Sequence, residues 1–183
     1  MQIGDEICKN FISLHHKVIS PAMCAKIIDY YNYAQDSAHD SRVGDGVVHK
    51  NYRNSKELNV IWKNERAEWQ ESMMYDLRKA INPYVLGYME KYPEFASCFQ
   101  NSFYEQAHIL RYETSEGFYK WHYDDDLKSN GRMLSIIVYL NDVSKGGETE
   151  FRYVRPKLIK PIRGSLLMFP SGWTHTHRGN VPI

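Results

Sequence analysis

The sequence predicts an α+β fold, with helices first and many short strands after them. Up to about residue 92, apolar residues recur at helical spacing, as in Met23, Ile27, Ile28 and Tyr31. Beyond Tyr92-Pro93, short runs rich in β-branched and aromatic residues alternate with Gly and Pro. A β-sandwich or barrel buttressed by N-terminal helices satisfies the same pattern.

The elements follow in order. Ser20-Pro21 reads as a helix start, Ser as N-cap and Pro at the first helical position, so residues 21 to about 35 form an amphipathic helix. Val43-Gly44-Asp45-Gly46-Val47-Val48 reads as a tight turn between two short extended pieces. From Asn64, the spacing of Trp69, Met73, Leu77 and Ile81 is helical again, and Asn82-Pro83 is expected to cap a second helical piece running to about Lys91. Residues 105–112 are rich in β-compatible types, and residues 134–140 form a nearly continuous apolar run, as a strand covered on both faces would. Glu148 to Phe151, Leu158 to Ile159 and Leu166 to Phe169 are shorter strand candidates, separated by Gly146-Gly147, Pro161, Gly164 and Pro170-Ser171-Gly172. No repeat and no domain boundary interrupts this, so one domain is expected over 1–183, helical over about 20–92 with a β core over about 100–183.

Composition excludes several classes. In 183 residues, 43% are apolar and 25% charged, which fits a globular chain and neither a fibrous nor a disordered one. A net charge of +1 makes no electrostatic case for nucleic acid or an anionic membrane. No apolar run approaches the roughly 20 residues of a membrane span. Asp5 and Glu6 stand near the N-terminus, where a signal peptide would have a basic flank and an apolar run, and the three cysteines are odd in number without metal-site spacing. A reduced, cytoplasmic compartment is expected. Aromatic content is high at 14%, which suits a β-rich core or an aromatic-lined pocket without choosing between them.

The chemistry centres on Trp121-His122-Tyr123-Asp124. In a strand, residues i and i+2 point to one face, so His122 and Asp124 would present an imidazole and a carboxylate side by side. Two histidines and one carboxylate on one face of a metal leave the opposite positions open for a co-substrate and O₂ at a non-haem Fe(II). The third ligand must come from far along the chain. His175 and His177 are the candidates, and strand alternation cannot choose between them because they too are two apart.

Five motifs occur together in order. They are Arg111-Tyr112; Gly117 to Asp124 with its His-x-Asp; Arg132 with Leu134 to Asp142; Gly146-Gly147-Glu148-Thr149-Glu150-Phe151; and Pro161 to Pro170, with His177-Arg178-Gly179 closing the series. Over about residues 105–180 this resembles the Fe(II)- and 2-oxoglutarate-dependent dioxygenases of the prolyl 4-hydroxylase type, and Ser20 to Ala34 resembles the helix that opens such domains.

The resemblance implies a double-stranded β-helix, or jelly-roll, core with iron held by His122, Asp124 and His177. His177 is preferred to His175 because a basic residue follows it and Pro182 comes a few places on. Tyr112 and Tyr139 match tyrosines that line the 2-oxoglutarate pocket, and Thr149 matches a threonine facing the co-substrate. The implied cofactors are Fe(II), 2-oxoglutarate as co-substrate and O₂, with ascorbate as a candidate accessory reductant. The implied reaction couples oxidative decarboxylation of 2-oxoglutarate to C–H hydroxylation, with an Asp at the carboxylate position arguing against halogenation. No side-chain general base is needed, so no catalytic residue beyond the metal ligands is expected. A prolyl residue in a protein or peptide is the favoured substrate, and small molecules are the alternative; Tyr119, Trp121, Tyr123 and Trp173 are candidates for an aromatic wall, and Arg42 to Arg53 for a lid. No nucleic-acid partner and no membrane are expected.

One feature departs from the family. There a Lys or Arg about ten residues after the distal His anchors the far carboxylate of 2-oxoglutarate, whereas this sequence ends at Ile183, six residues after His177. Either the sequence is a truncated chain whose core lacks its last strand, which is the favoured expectation, or another basic residue substitutes, with Arg152, Lys160 and Arg163 as the nearest candidates. A non-catalytic jelly-roll module that holds a metal or ligand is the alternative function.

Overall fold

The computed structural model describes residues 7–44, 46–60, 67–98, 107–125 and 131–183. Twelve strands and three α-helices are described: β1 (Ile7–Lys9), β2 (Ile12–His15), α1 (Pro21–Tyr33), β3 (His39–Asp40), β4 (Arg53–Asn54), β5 (Lys56–Val60), α2 (Ala67–Lys91), α3 (Pro93–Cys98), β6 (Ala107–Arg111), β7 (Phe118–His122), β8 (Leu134–Val138), β9 (Thr149–Phe151), β10 (Leu158–Ile159), β11 (Leu166–Pro170) and β12 (His177–Gly179). All strand pairs are antiparallel. The sheets run β1-β2-β11-β8, β10-β9-β12-β7-β4 and β3-β5-β6.

The alternation within β11 explains the layers. Leu167 and Phe169 point inward and join Ile12, Leu14, Phe151 and Ile159 between the first two sheets. Leu166 and Met168 point the other way, onto Ile19 and Cys24 and onto Ile81, Val85 and Tyr88 of α2. One strand thus belongs to two cores, which requires its apolar run to be continuous. A third cluster packs α1 and α2 on the small sheet, through Ile27, Tyr31, Met73, Leu58, Val60 and Ile109. The result is the jelly roll backed by helices that the sequence predicts.

Helix α1 starts as expected, with the Ser20 hydroxyl accepting from the Met23 N–H at 3.1 Å. The expected break at Asn82-Pro83 does not occur, since α2 continues through Pro83 to Lys91. Pro83 removes one hydrogen bond, but burial of Ile81 and Val85 on either side of it against β11 outweighs that loss. The turn at Val43 closes through Val43 N–H to the Val47 carbonyl at 3.0 Å, yet its arms are not strands; the nearest are β3 and β4. The expected starts at Asn64 and Glu105 lie outside the described residues.

Among the described residues, β8 pairs with β11 alone and β6 with β5 alone. The residues of both strands line one cavity of about 2020 Å³ that reaches from the helix layer to His122, Asp124 and His177.

Candidate metal centre

Antiparallel pairing of β7 with β12 sets His122 directly opposite His177, with ring centroids 4.2 Å apart. Asp124 follows two residues after His122 and turns to face both. His122 Nε2 lies 3.5 Å from Asp124 Oδ1, and His177 Nε2 lies 3.8 Å from Oδ2. The three residues each offer a ligand atom, all within 4.8 Å of one another, and no other such group occurs among the described residues.

The far nitrogen of each ring decides what the near one can do. His122 Nδ1 donates to the Lys120 carbonyl at 2.7 Å, and His177 Nδ1 donates to the His175 carbonyl at 3.0 Å. A carbonyl can only accept, so each Nδ1 carries a proton and each Nε2 is the nitrogen left to face Asp124. Asp124 is fixed as tightly. The Ser135 hydroxyl donates to its Oδ2, the Ser171 hydroxyl backs Ser135 at 2.8 Å, and the Asp124 N–H donates to the Ser171 carbonyl at 3.0 Å. Arg132 donates to the Asp124 carbonyl at 2.9 Å.

Burial alone would raise the Asp124 pKa, but His122, His177 and the Ser135 hydroxyl together hold it well below the usual carboxylate range. His177 is pushed down to about 4 by burial and by the neighbouring His122. The cluster therefore offers two imidazole nitrogens and one carboxylate oxygen. Two nitrogens and one oxygen with open positions suit a divalent first-row metal such as Fe(II).

His175 is not part of the group. It is buried, its Nε2 donates to the Asn10 carbonyl at 2.9 Å, and its Nδ1 is bonded to the Thr174 hydroxyl at 3.0 Å. The short 3-10 turn Trp173–His175 breaks the alternation that would have given the two histidines one face.

Tyr112, Tyr139 and Thr149 all line the same cavity as the triad. The Tyr139 and Thr149 hydroxyls are 2.7 Å apart, and burial holds the Tyr139 pKa above its ordinary value, so it stays a phenol able to donate. Two adjacent hydroxyls suit a carboxylate ligand. Among the described residues no basic side chain bonds to either. Lys160 and Arg163 do not line the cavity, and Arg152 lies over Trp121 at its rim.

The sequence does not single out Ser135 and Ser171, which hold Asp124; serine carries no spacing signal of its own. Tyr119, expected in an aromatic wall, instead stacks on His122 with centroids 3.4 Å apart and planes at 16°. Arg53 lies 4.6 Å from the centre of the same Tyr119 ring. Within the expected lid, Tyr52 does run beside this site: its hydroxyl donates to the Trp121 carbonyl, and its carbonyl accepts from the Lys120 N–H at 2.9 Å.

Residues 107–182 match the model of the 2OG-Fe(II) oxygenase superfamily. No curated protein matches the chain in sequence. Among solved structures it is similar to a Pseudomonas putida prolyl-4-hydroxylase, at 20% identity and a TM-score of 0.65 over 94% of this chain and 86% of that one. It is also similar to a viral collagen prolyl hydroxylase from Paramecium Bursaria Chlorella virus-1 in its 2OG complex, at 19% identity and a TM-score of 0.62 over 95% and 91%. A prolyl hydroxylase from Trichoplax adhaerens, in complex with a hypoxia inducible factor oxygen degradation domain peptide fragment, gives 16% identity and a TM-score of 0.71 over 94% and 78%. At these identities the likeness establishes the fold.

Proposed function

We propose, from the premise that residues 107–182 form a 2OG-Fe(II) oxygenase superfamily domain, that the chain is a prolyl 4-hydroxylase-like hydroxylase acting on a protein, peptide or small molecule. The observation that carries this is the convergence of His122, Asp124 and His177, with both far imidazole nitrogens tied to carbonyls. The Trichoplax adhaerens relative was solved with a peptide fragment, which supports a peptidyl substrate here.

In this reading His122, Asp124 and His177 hold Fe(II), and Tyr112, Tyr139 and Thr149 receive 2-oxoglutarate. When bound, iron and 2-oxoglutarate supply O₂ activation, coupling oxidative decarboxylation to C–H hydroxylation. The protein supplies geometry. The carbonyls of Lys120 and His175 hold the imidazole rings, and the Ser171–Ser135 pair holds the carboxylate. Asp124 stays ionised at physiological pH and offsets metal charge. The Tyr139 phenol keeps its proton and donates it in a hydrogen bond to a carboxylate oxygen. Tyr119 covers one face of His122 and keeps water from it.

The test is anaerobic. Metal-free protein receives Fe(II) and then 2-oxoglutarate, and a weak visible charge-transfer band is expected. Iron binding with no band would overturn the hydroxylase reading. It would favour the non-catalytic metal- or ligand-binding module, for which the lack of a cation bonded to Tyr139 and Thr149 among the described residues speaks.

A further inference from the structure

A charged aromatic patch adjoins the metal-site strands on the outer face of the five-stranded sheet. Phe151 and His177 face each other across β9 and β12, and Phe151 points into the core. Strand alternation therefore turns Glu150, Arg152 and Arg178 outward. The Trp121 indole lies between two guanidinium groups, Arg178 at 4.6 Å and Arg152 at 5.6 Å from its centre, and Arg152 is also 5.6 Å from the centre of the Tyr153 ring. These four residues line the same cavity as the triad.

The charges do not cancel. Glu150 is already used: Arg178 donates to its Oε2 through Nε at 2.9 Å and Nη2 at 2.6 Å, and Lys157 stands 3.4 Å from its Oε1. Arg152 is exposed and meets no carboxylate among the described residues. Tyr153 beside it is 62% exposed. An accessible cation framed by two rings is shaped to receive an anion on an extended chain whose apolar rings lie on the aromatics.

We infer that this rim docks the flank of a peptide substrate that is acidic as well as proline-bearing, with an Asp or Glu side chain on Arg152. Arg152 follows the residue paired with His177 and lines the cavity that the triad lines, so the acidic side chain belongs on the flank of the reacting residue. The inference rests on the hydroxylase reading and narrows its substrate class.

The test uses the whole chain loaded anaerobically with Fe(II) and 2-oxoglutarate. Two fluorescein-labelled 12-residue proline-rich peptides are compared, one with Asp and one with Lys at three matched positions around a central Pro. The Asp peptide is expected to bind about tenfold tighter, with the advantage shrinking as salt rises from about 0.05 to about 0.5 M. Arg152→Gln should abolish that preference and Arg152→Glu should reverse it, with thermal melts confirming that both variants fold. Equal binding of the two peptides, binding of neither, or an unchanged preference in both variants overturns the inference. Succinate release by the wild-type protein in air without peptide reports on the hydroxylase reading by itself, so the two can fail separately.

Discussion

His175 and His177 illustrate how much depends on which nitrogen carries a proton. His177 presents a bare Nε2 to Asp124, whereas His175 spends its Nε2 on the Asn10 carbonyl. His177→Ala is expected to abolish tight binding of Fe(II) or Co(II). His175→Ala should keep the site and weaken it by about tenfold, because the His175 carbonyl that orients His177 remains. Titration followed through Co(II) absorption distinguishes them, and a complete loss in His175→Ala would refute the assignment. Ser135→Ala removes the hydroxyl that donates to Asp124 and should lower metal affinity by about 10- to 100-fold with the melting temperature little changed. His122 and Asp124 were legible from the sequence, since i and i+2 spacing on a strand has a direct geometric meaning. The serines were not, because their role comes only from the approach of the loop after β11 to β8.

At the scale of elements, legibility follows how local the cause is. The strands β8 and β11 could be read from their apolar runs, but the double coverage expected of 134–140 falls on β11, since β8 is mostly half-buried beside the cavity. The β1–β2 hairpin could not: its turn residues Asn10 and Phe11 take φ of 55° and 62°, and Phe is a poor signal for such a turn. That conformation is held from a distance, by the Tyr88 hydroxyl donating to the Phe11 carbonyl at 2.8 Å and by His175 donating to Asn10. Strand β5 shows the same with charge. Glu57 lies 2.9 Å from His108 on β6 and 3.6 Å from Arg53, whose side chain is only 11% exposed. Burial would raise the Glu57 pKa, but His108 and Arg53 outweigh it and hold it below its ordinary value of 4.5. A carboxyl with a depressed native pKa adds stability above its unfolded value and loses it as pH falls from there through the lowered native value. Glu57→Gln should therefore cost about 1–3 kcal/mol at pH 7. Its deficit against wild type should shrink below about pH 4.5, as urea melts across pH would show. A deficit that stays constant to pH 3 would mean the carboxylate is not linked to folding.

At the scale of the whole molecule, the turn Pro161–Ser165 gathers the layers. The Gly164 N–H donates to the Tyr139 carbonyl at 2.8 Å, and the Gly164 carbonyl accepts from Val18 at 2.9 Å and Ile19 at 3.0 Å. The exit of β8, the entry of β11 and the approach to α1 thus meet at one residue. It must be glycine for two independent reasons. Its φ is +78°, and a Cβ there would collide with the Ile19 carbonyl oxygen, a backbone atom that cannot rotate away. Gly164→Ala is expected to cost about 2–4 kcal/mol, a fall in Tm of about 5–12 °C for a chain of this size. Gly87, exposed within α2, makes the contrast: a Cβ there meets nothing within 4 Å and its φ is ordinary. Gly87→Ala should raise stability by about 0.5–1 kcal/mol. If both substitutions moved Tm in the same direction, helix propensity and not the meeting of β8, β11 and α1 at Gly164 would govern the response. Opposite shifts would place the joint between the helical layer and the jelly roll at that turn, one hydrogen bond away from Tyr139 in the pocket wall.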